Sequence, residues 1–178
     1  MASSELSAHD RAVLNCVFNP NLPVEESEQA EPTDNEDLTP ETLTTKKMEL
    51  EAIKLAEKGR LREALSMLNR ALEIAPRRPS LYNNRAHVYQ YLRQFEAALD
   101  DLTESINLCT EKHRKTLCHA YCQRGVLHKR AKRTEMARED FERAARLGSK
   151  FAKAQLVELN PYAALCNQML LQVMEKLG

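Results

Sequence analysis

The sequence predicts an all-α fold: a right-handed superhelical solenoid of three helix-turn-helix repeats closed by a C-terminal capping helix. Three observations lead there. First, the chain repeats itself. Ala64, Leu65, Leu68, Ala71 and Ile74 are matched 34 residues later by Ala98, Leu99, Leu102, Ser105 and Leu108, and 39 residues further on by a copy containing Ala137, Phe141, Ala144 and Leu147. Second, small residues recur in each copy where two helices must approach closely, and large apolar residues follow four and seven positions later on the same face. Third, only four glycines and no tryptophan occur in 178 residues, with 43% apolar and 29% charged residues, which suits helices better than a many-turned sheet. A unit of this length cannot bury both its faces alone, so stacking of successive units must make the core.

In chain order, residues 1–20 hold a short helix over Ser7 to Phe18, with Ala12, Val13, Cys16 and Val17 at helical spacing. Ser7 can cap it and Asn19-Pro20 ends it. Residues 21–44 read as an acidic linker with three prolines and few apolar residues, too little to offset the entropy of ordering, so disorder is expected. The repeats are placed at 45–78, 79–112 and 118–151. The first has Met48, Ala52 and Leu55 on its first helix, the second Tyr82, Ala86 and Tyr89, the third Tyr121 and Gly125. His113 to Leu117 is the material that lengthens 34 to 39, as a longer loop or as added helix. Residues 152–178 are assigned to capping helices, a short one ending at Leu159 and a second over Pro161 to Leu177 with a broad apolar face.

Net charge is zero for the chain but sharply divided. Residues 1–45 carry ten acids and one base, and residues 46–178 carry sixteen acids and twenty-five bases. An acidic arm could therefore lie across a basic domain and shield it. No apolar run is long enough to span a bilayer, and the N-terminus lacks the pattern of a secretory signal. Five cysteines in that setting favour a reduced compartment, cytoplasmic with the nucleus as the alternative.

In such a solenoid the first helices of successive repeats line a concave groove. The repeat register places Asn83, Asn84, His87 and Tyr91 there from the second repeat, and His119, Gln123, Lys129 and Arg130 from the third. These are the candidate partner-binding residues. Their amide and imidazole groups can hydrogen-bond an extended peptide, and Tyr91 adds apolar contact. Two other classes compete. Residues 111–153 hold thirteen Lys/Arg against five Asp/Glu, which would fit RNA or another polyanion, although no nucleic-acid motif accompanies them. Cys109, His113, Cys118, His119 and Cys122 raise a zinc site, but a single Cys-x3-Cys lacks a second well-spaced pair. No phosphate loop, metalloprotease helix or nucleophile elbow is present. An enzyme and a cofactor are therefore not expected.

The 34-residue pattern, with Tyr82…Arg85-Ala86 and Tyr121…Arg124-Gly125, resembles the tetratricopeptide repeat family across residues 45–151. The runs Phe141 to Ser149 and Leu159 to Leu170, the opening Val13-Leu-x-x-Val-Phe-Asn-Pro, and Tyr82-Asn-Asn-Arg-Ala resemble one small branch of that family. The resemblance implies a small, non-enzymatic adaptor associated with the seventy-kilodalton heat-shock chaperone; a client protein as a further partner and a monomeric state are expected beside it. Chaperone-binding members hold a peptide's C-terminal carboxylate in a clamp of basic and amide groups. The matching positions here are Glu49, Ile53, Asn84, His119 and Gln123, and only Asn84 keeps the family's residue. A glutamate repels a carboxylate and Ile53 offers no donor, so any chaperone contact is expected to use another surface.

Overall fold

The computed structural model describes residues 32–160, together with Tyr162 and Met169. The chain divides into two units, residues 31–159 and a second that joins 1–30 with 160–178. The helix expected over Ser7 to Phe18 and the cap expected over Pro161 to Leu177 lie outside the described residues. The first unit holds seven helices: α1 (Pro40–Glu57), α2 (Leu61–Ile74), α3 (Pro79–Tyr91), α4 (Phe95–Leu108), α5 (Arg114–Arg130), α6 (Thr134–Arg146) and α7 (Lys150–Glu158). Each repeat is one antiparallel pair, α1 with α2, α3 with α4, α5 with α6. Successive first helices also touch, α1 with α3 and α3 with α5. No strand occurs among the described residues, as the resemblance and the small glycine count led us to expect.

The repeated residues make the core as their spacing required. Ala64, Ala98 and Ala137 are fully buried, as are Ala71, Ser105 and Ala144 at the second small position. Ser105 carries a hydroxyl into that site and satisfies it by donating to the Pro79 carbonyl at 2.9 Å. Each core cluster borrows from the next repeat: Leu81 and Val88 of α3 complete the first, Ala120 and Leu127 of α5 the second. Ala152 of α7 completes the third, so α7 stands where a fourth first helix would begin. Gly125 is small for a steric reason. A Cβ there would sit 2.8 Å from the Phe141 ring.

The turns inside the three repeats are one structure used three times. Gly59, Arg93 and Lys132 occupy the same register and have φ of 76°, 60° and 60°. The next residue returns its N–H to the helix each time, Arg60 to Leu55, Gln94 to Tyr89 and Arg133 to His128, all at 2.9 Å. This left-handed closure satisfies the last carbonyls of the first helix. Only the first repeat uses the residue that adopts it without cost.

Two pairs brace the helices from the convex side. Arg85 of α3 holds Asp101 of α4 through two hydrogen bonds at 2.7 and 2.6 Å. Arg124 of α5 holds Asp140 of α6 through two at 2.8 Å. The carboxylates are nearly buried, at 9% and 2% side-chain exposure, so bidentate geometry is what makes their burial tolerable.

The acidic segment departs from its expected disorder. Its described half, residues 32–39, forms a strap against the repeats, and the first helix begins at Pro40 rather than Thr45. Thr39 caps α1, accepting from the Thr42 N–H at 3.1 Å, and Pro40 needs no amide partner there. Asn35 donates to the Lys112 carbonyl at 2.7 Å. The Asp34 carboxylate accepts from the Lys115 and Thr116 N–H groups at 2.8 and 3.1 Å and from the Thr116 hydroxyl at 2.6 Å. It is therefore the N-cap of α5, supplied from 82 residues away. His113, the local cap position, provides none. Four of the five extra residues, 114–117, are thus an added helical turn on α5, and the strap satisfies its exposed donors. Hydrogen bonds and a charge favoured at a helix N-terminus offset the ordering entropy that apolar burial alone could not.

Two substitutions test this packing by chemical denaturation. Asp34→Ala removes the cap and should cost about 1–2 kcal/mol; a loss under a few tenths would mean that the strap adds nothing to α5. Gly125→Ala should cost about 1–3 kcal/mol through the forced shift of Phe141, and a neutral result would show that the ring has room to yield.

Candidate functional site

The concave face is built by α1, α3 and α5, and its seams are closed by polar side chains that satisfy one another. At the first seam, Glu49 of α1 is buried at 7% exposure. Its carboxylate accepts from the Asn84 amide of α3 at 2.6 Å and pairs with Arg78 at 2.7 Å. Arg78 also binds Glu36 of the strap at 2.9 Å. One guanidinium thus neutralises two carboxylates, with side-chain exposures of 8% for Arg78, 13% for Glu36 and 9% for Glu49. Burial opposes the Arg78 charge, and the Glu36 hydrogen bond with the nearby charges of Glu49 and Glu36 outweighs it, leaving its pKa raised. At the second seam, Gln123 of α5 donates to the Asn83 carbonyl oxygen at 3.1 Å and accepts from Gln90 at 2.7 Å. At the third, Lys129 reaches α7, donating to Gln155 at 2.7 Å and pairing with Glu158 at 2.5 Å.

The eight residues singled out from sequence therefore separate. Asn83, Asn84 and Gln123 lie at the seams with their amides committed to neighbouring helices. Lys129 is committed to α7. Arg130 is exposed and its guanidinium lies over Phe95, 4.4 Å from the ring centre. His119 is exposed on α5 and is not a free group. His87 and Tyr91 stack on one another, with centroids 5.0 Å apart and planes at 23°. The seam commitments follow from geometry. Two adjacent first helices bring polar side chains face to face, and pairing them avoids stranded donors at a half-buried position.

Beside the His87–Tyr91 stack the α1–α3 seam opens into a cleft of about 250 Å³. Ala52, Ala56, Leu68 and Val88 form its apolar floor, and Asn84 and Glu57 complete the lining. Ile53 and Tyr91 stand at its mouth, 36% and 62% exposed. Partial burial of the ring lowers the His87 pKa. A larger hollow of about 430 Å³ lies under the strap, but Arg78 and Lys112 in its wall are already paired to Glu36 and Asp37.

Much of the basic charge in the third repeat is paired: Arg124 with Asp140, Lys129 with Glu158, and Arg138, Arg143 and Arg146 beside Glu135, Glu139 and Glu142. The proposed zinc donors are otherwise engaged. Cys118 donates toward the Ala144 carbonyl, Cys122 contacts the Ser149 hydroxyl at 3.2 Å, and His113 Nδ1 accepts from the Thr110 N–H. Burial, with Asp34 nearby, pushes the Cys109 thiol up to about 12. Among the described residues no group of three or more His, Cys, Asp or Glu side chains is disposed to hold a metal, and no helix is long and apolar enough to cross a membrane.

Sequence reasoning missed Arg78, Glu36 and Asp34, because each finds its partner far along the chain. The convex Arg–Asp pairs were readable, since Arg85 and Asp101 both recur 39 residues later as Arg124 and Asp140.

A stack of helix pairs with this register, these turns and a grooved inner face is a tetratricopeptide repeat domain. The family model described as tetratricopeptide repeat matches residues 79–111 and 119–148. The chain belongs to the tetratricopeptide repeat protein 36 family: it is 46% identical over 183 residues to the "Tetratricopeptide repeat protein 36 homolog" of Drosophila melanogaster, covering 99% of this chain and 98% of that relative. Solved structures agree on the fold. The first TPR of Spaghetti (RPAP3) bound to HSP90 peptide SRMEEVD superposes with a TM-score of 0.60 at 23% identity, over 69% of this chain and 95% of that one. The second TPR domain of human RPAP3 in complex with HSP70 peptide SGPTIEEVD gives 0.57 at 21% identity, over 67% and 97%.

The first seam makes a quantitative prediction. Arg78→Ala leaves Glu49 buried without its cation and should cost about 3–5 kcal/mol in urea denaturation. Adding Glu49→Gln should restore part of that loss. A cost near that of a surface pair, below about 1 kcal/mol, would show that Arg78 is not the anchor.

Proposed function

We propose that this protein is a non-catalytic, monomeric adaptor that binds a partner segment along its concave face and associates with the seventy-kilodalton heat-shock chaperone. The observation that carries the reading is the cleft between α1 and α3. It is apolar at its floor and keeps Ile53, His87 and Tyr91 at its mouth while the surrounding polar groups are satisfied internally. Aromatic and aliphatic groups held on rigid helices beside an open cleft are what a recognition surface needs. The peptide complexes of the RPAP3 domains support a partner of the chaperone class, since they are formed by the same fold. Free thiols at Cys109, Cys118 and Cys122 fit a reduced cytoplasmic setting. Of the eight candidate residues, His87 and Tyr91 are the proposed contacts, so the chaperone contact, expected from the lost clamp residues to use another surface, is proposed instead for the cleft beside this stack. Asn83, Asn84, Gln123 and Lys129 hold the surface in shape.

The test is binding of the purified seventy-kilodalton chaperone to the wild-type chain and to His87→Ala/Tyr91→Ala. Both residues are exposed, so the variant should keep its circular dichroism and lose about tenfold or more in affinity. Equal binding by the two proteins would remove the groove from the interaction, and no binding by either would remove the chaperone.

A further inference from the structure

The cleft also carries information about what enters it. In the clamp of chaperone-binding relatives the ligand contributes a terminal carboxylate. Here one of the clamp's own positions is Glu49. Glu49 supplies a carboxylate, Asn84 donates to it at 2.6 Å, and Arg78 neutralises it from behind at 2.7 Å. The Asn84 donor is spent, the next clamp position is Ile53, and a second carboxylate would meet Glu49 across a half-buried seam. The carboxylate in the cleft wall is Glu57. Among the described residues lining the cleft it is the only acid or base besides His87. It is exposed and makes no ion pair or hydrogen bond among the described residues. Lys54 and Lys58, its neighbours on α1, do not line the cleft. Glu57 therefore presents an unpaired carboxylate beside an apolar hole.

Building on the groove reading, we infer that the cleft receives an internal partner segment that inserts one apolar side chain and places an arginine or lysine against Glu57, rather than a free acidic C-terminus. The apolar side chain fills the hole over Ala52, Ala56, Leu68 and Val88. Its flanks rest on Ile53 and Tyr91. The base meets Glu57 one turn along α1 from Ile53, so apolar residue and base lie close in the partner's sequence. The Asn84 side-chain oxygen, with its amide turned to Glu49, remains as an acceptor for a backbone N–H of the inserted segment. Charge complementarity of this kind selects between partners more than it adds affinity.

The experiment titrates the full chain against fluorescein-labelled decapeptides, amidated at the C-terminus, in a Ser/Gly/Gln background. Each carries one leucine or phenylalanine, followed within four residues by arginine, glutamine or glutamate. The arginine series should bind about tenfold tighter than the glutamate series, with glutamine between. Glu57→Lys should reverse that order, and Ile53→Ser or Tyr91→Ala should weaken all three. These positions are exposed, and circular dichroism checks that each variant keeps its helices. The peptide SGPTIEEVD, as free acid and as amide, should show no advantage for the acid. Three results would overturn the inference: the free acid binding tighter than its amide, no discrimination between arginine and glutamate, or no binding by any peptide at millimolar concentration. In the last case, a chaperone interaction still sensitive to His87→Ala/Tyr91→Ala would leave the adaptor reading standing and refute only the stated partner chemistry.

Discussion

Arg78 holds two carboxylates at once, Glu36 at 2.9 Å and Glu49 at 2.7 Å, with its side chain 8% exposed. The inner face of the first repeat depends on that arrangement. Residue 78 precedes Pro79, which starts α3, so its backbone is extended, and its guanidinium reaches Glu49 of α1 and Glu36 of the strap. Without a cation there, Glu49 could not stay buried. Without Glu49, Asn84 would be an open donor in the groove. Charge balance at a loop residue thereby decides the chemistry of a surface on a different helix.

The same logic of internal satisfaction recurs along the solenoid. The Glu49–Asn84, Asn83–Gln123–Gln90 and Lys129–Gln155/Glu158 contacts close the seams on the concave side. The Arg85–Asp101 and Arg124–Asp140 pairs brace the convex side. Between them lie cores of mostly small residues, where Ala64, Ala98 and Ala137 let helices approach and Leu68, Leu102 and Phe141 fill the gaps. Stacking energy in such an array comes from nearest neighbours. A polar seam adds register to it, because a helix that slid along its neighbour would strand several buried donors together.

The fold was legible because repetition is a strong local signal. Ala64/Ala98/Ala137 and Leu68/Leu102/Phe141 recur at helical spacing, and their burial follows from that spacing alone. The site was legible only as positions. The register put Asn84, His87, Tyr91 and Gln123 on the inner face, but whether an amide there is offered to a partner depends on what stands opposite it. For Asn84 that is Glu49, 35 residues away, and for Gln123 it is Asn83 and Gln90. Composition misjudged residues 32–44 for a related reason. It counts apolar surface, and this strap is held by hydrogen bonds and charges whose partners lie at Arg78, Lys112 and Thr116.

The reach of Asp34 has a consequence for how the chain is made. Repeats can fold one after another as they leave the ribosome, each needing only its neighbour. Glu36 and Arg78 are 42 residues apart and can meet early. Asp34 waits for Thr116, 82 residues later, so its carboxylate has no helix end to hold until the third repeat has emerged. The strap is a closing stitch. It turns a stack that could lengthen or shorten by whole units into one whose first described residues register that the third unit is in place.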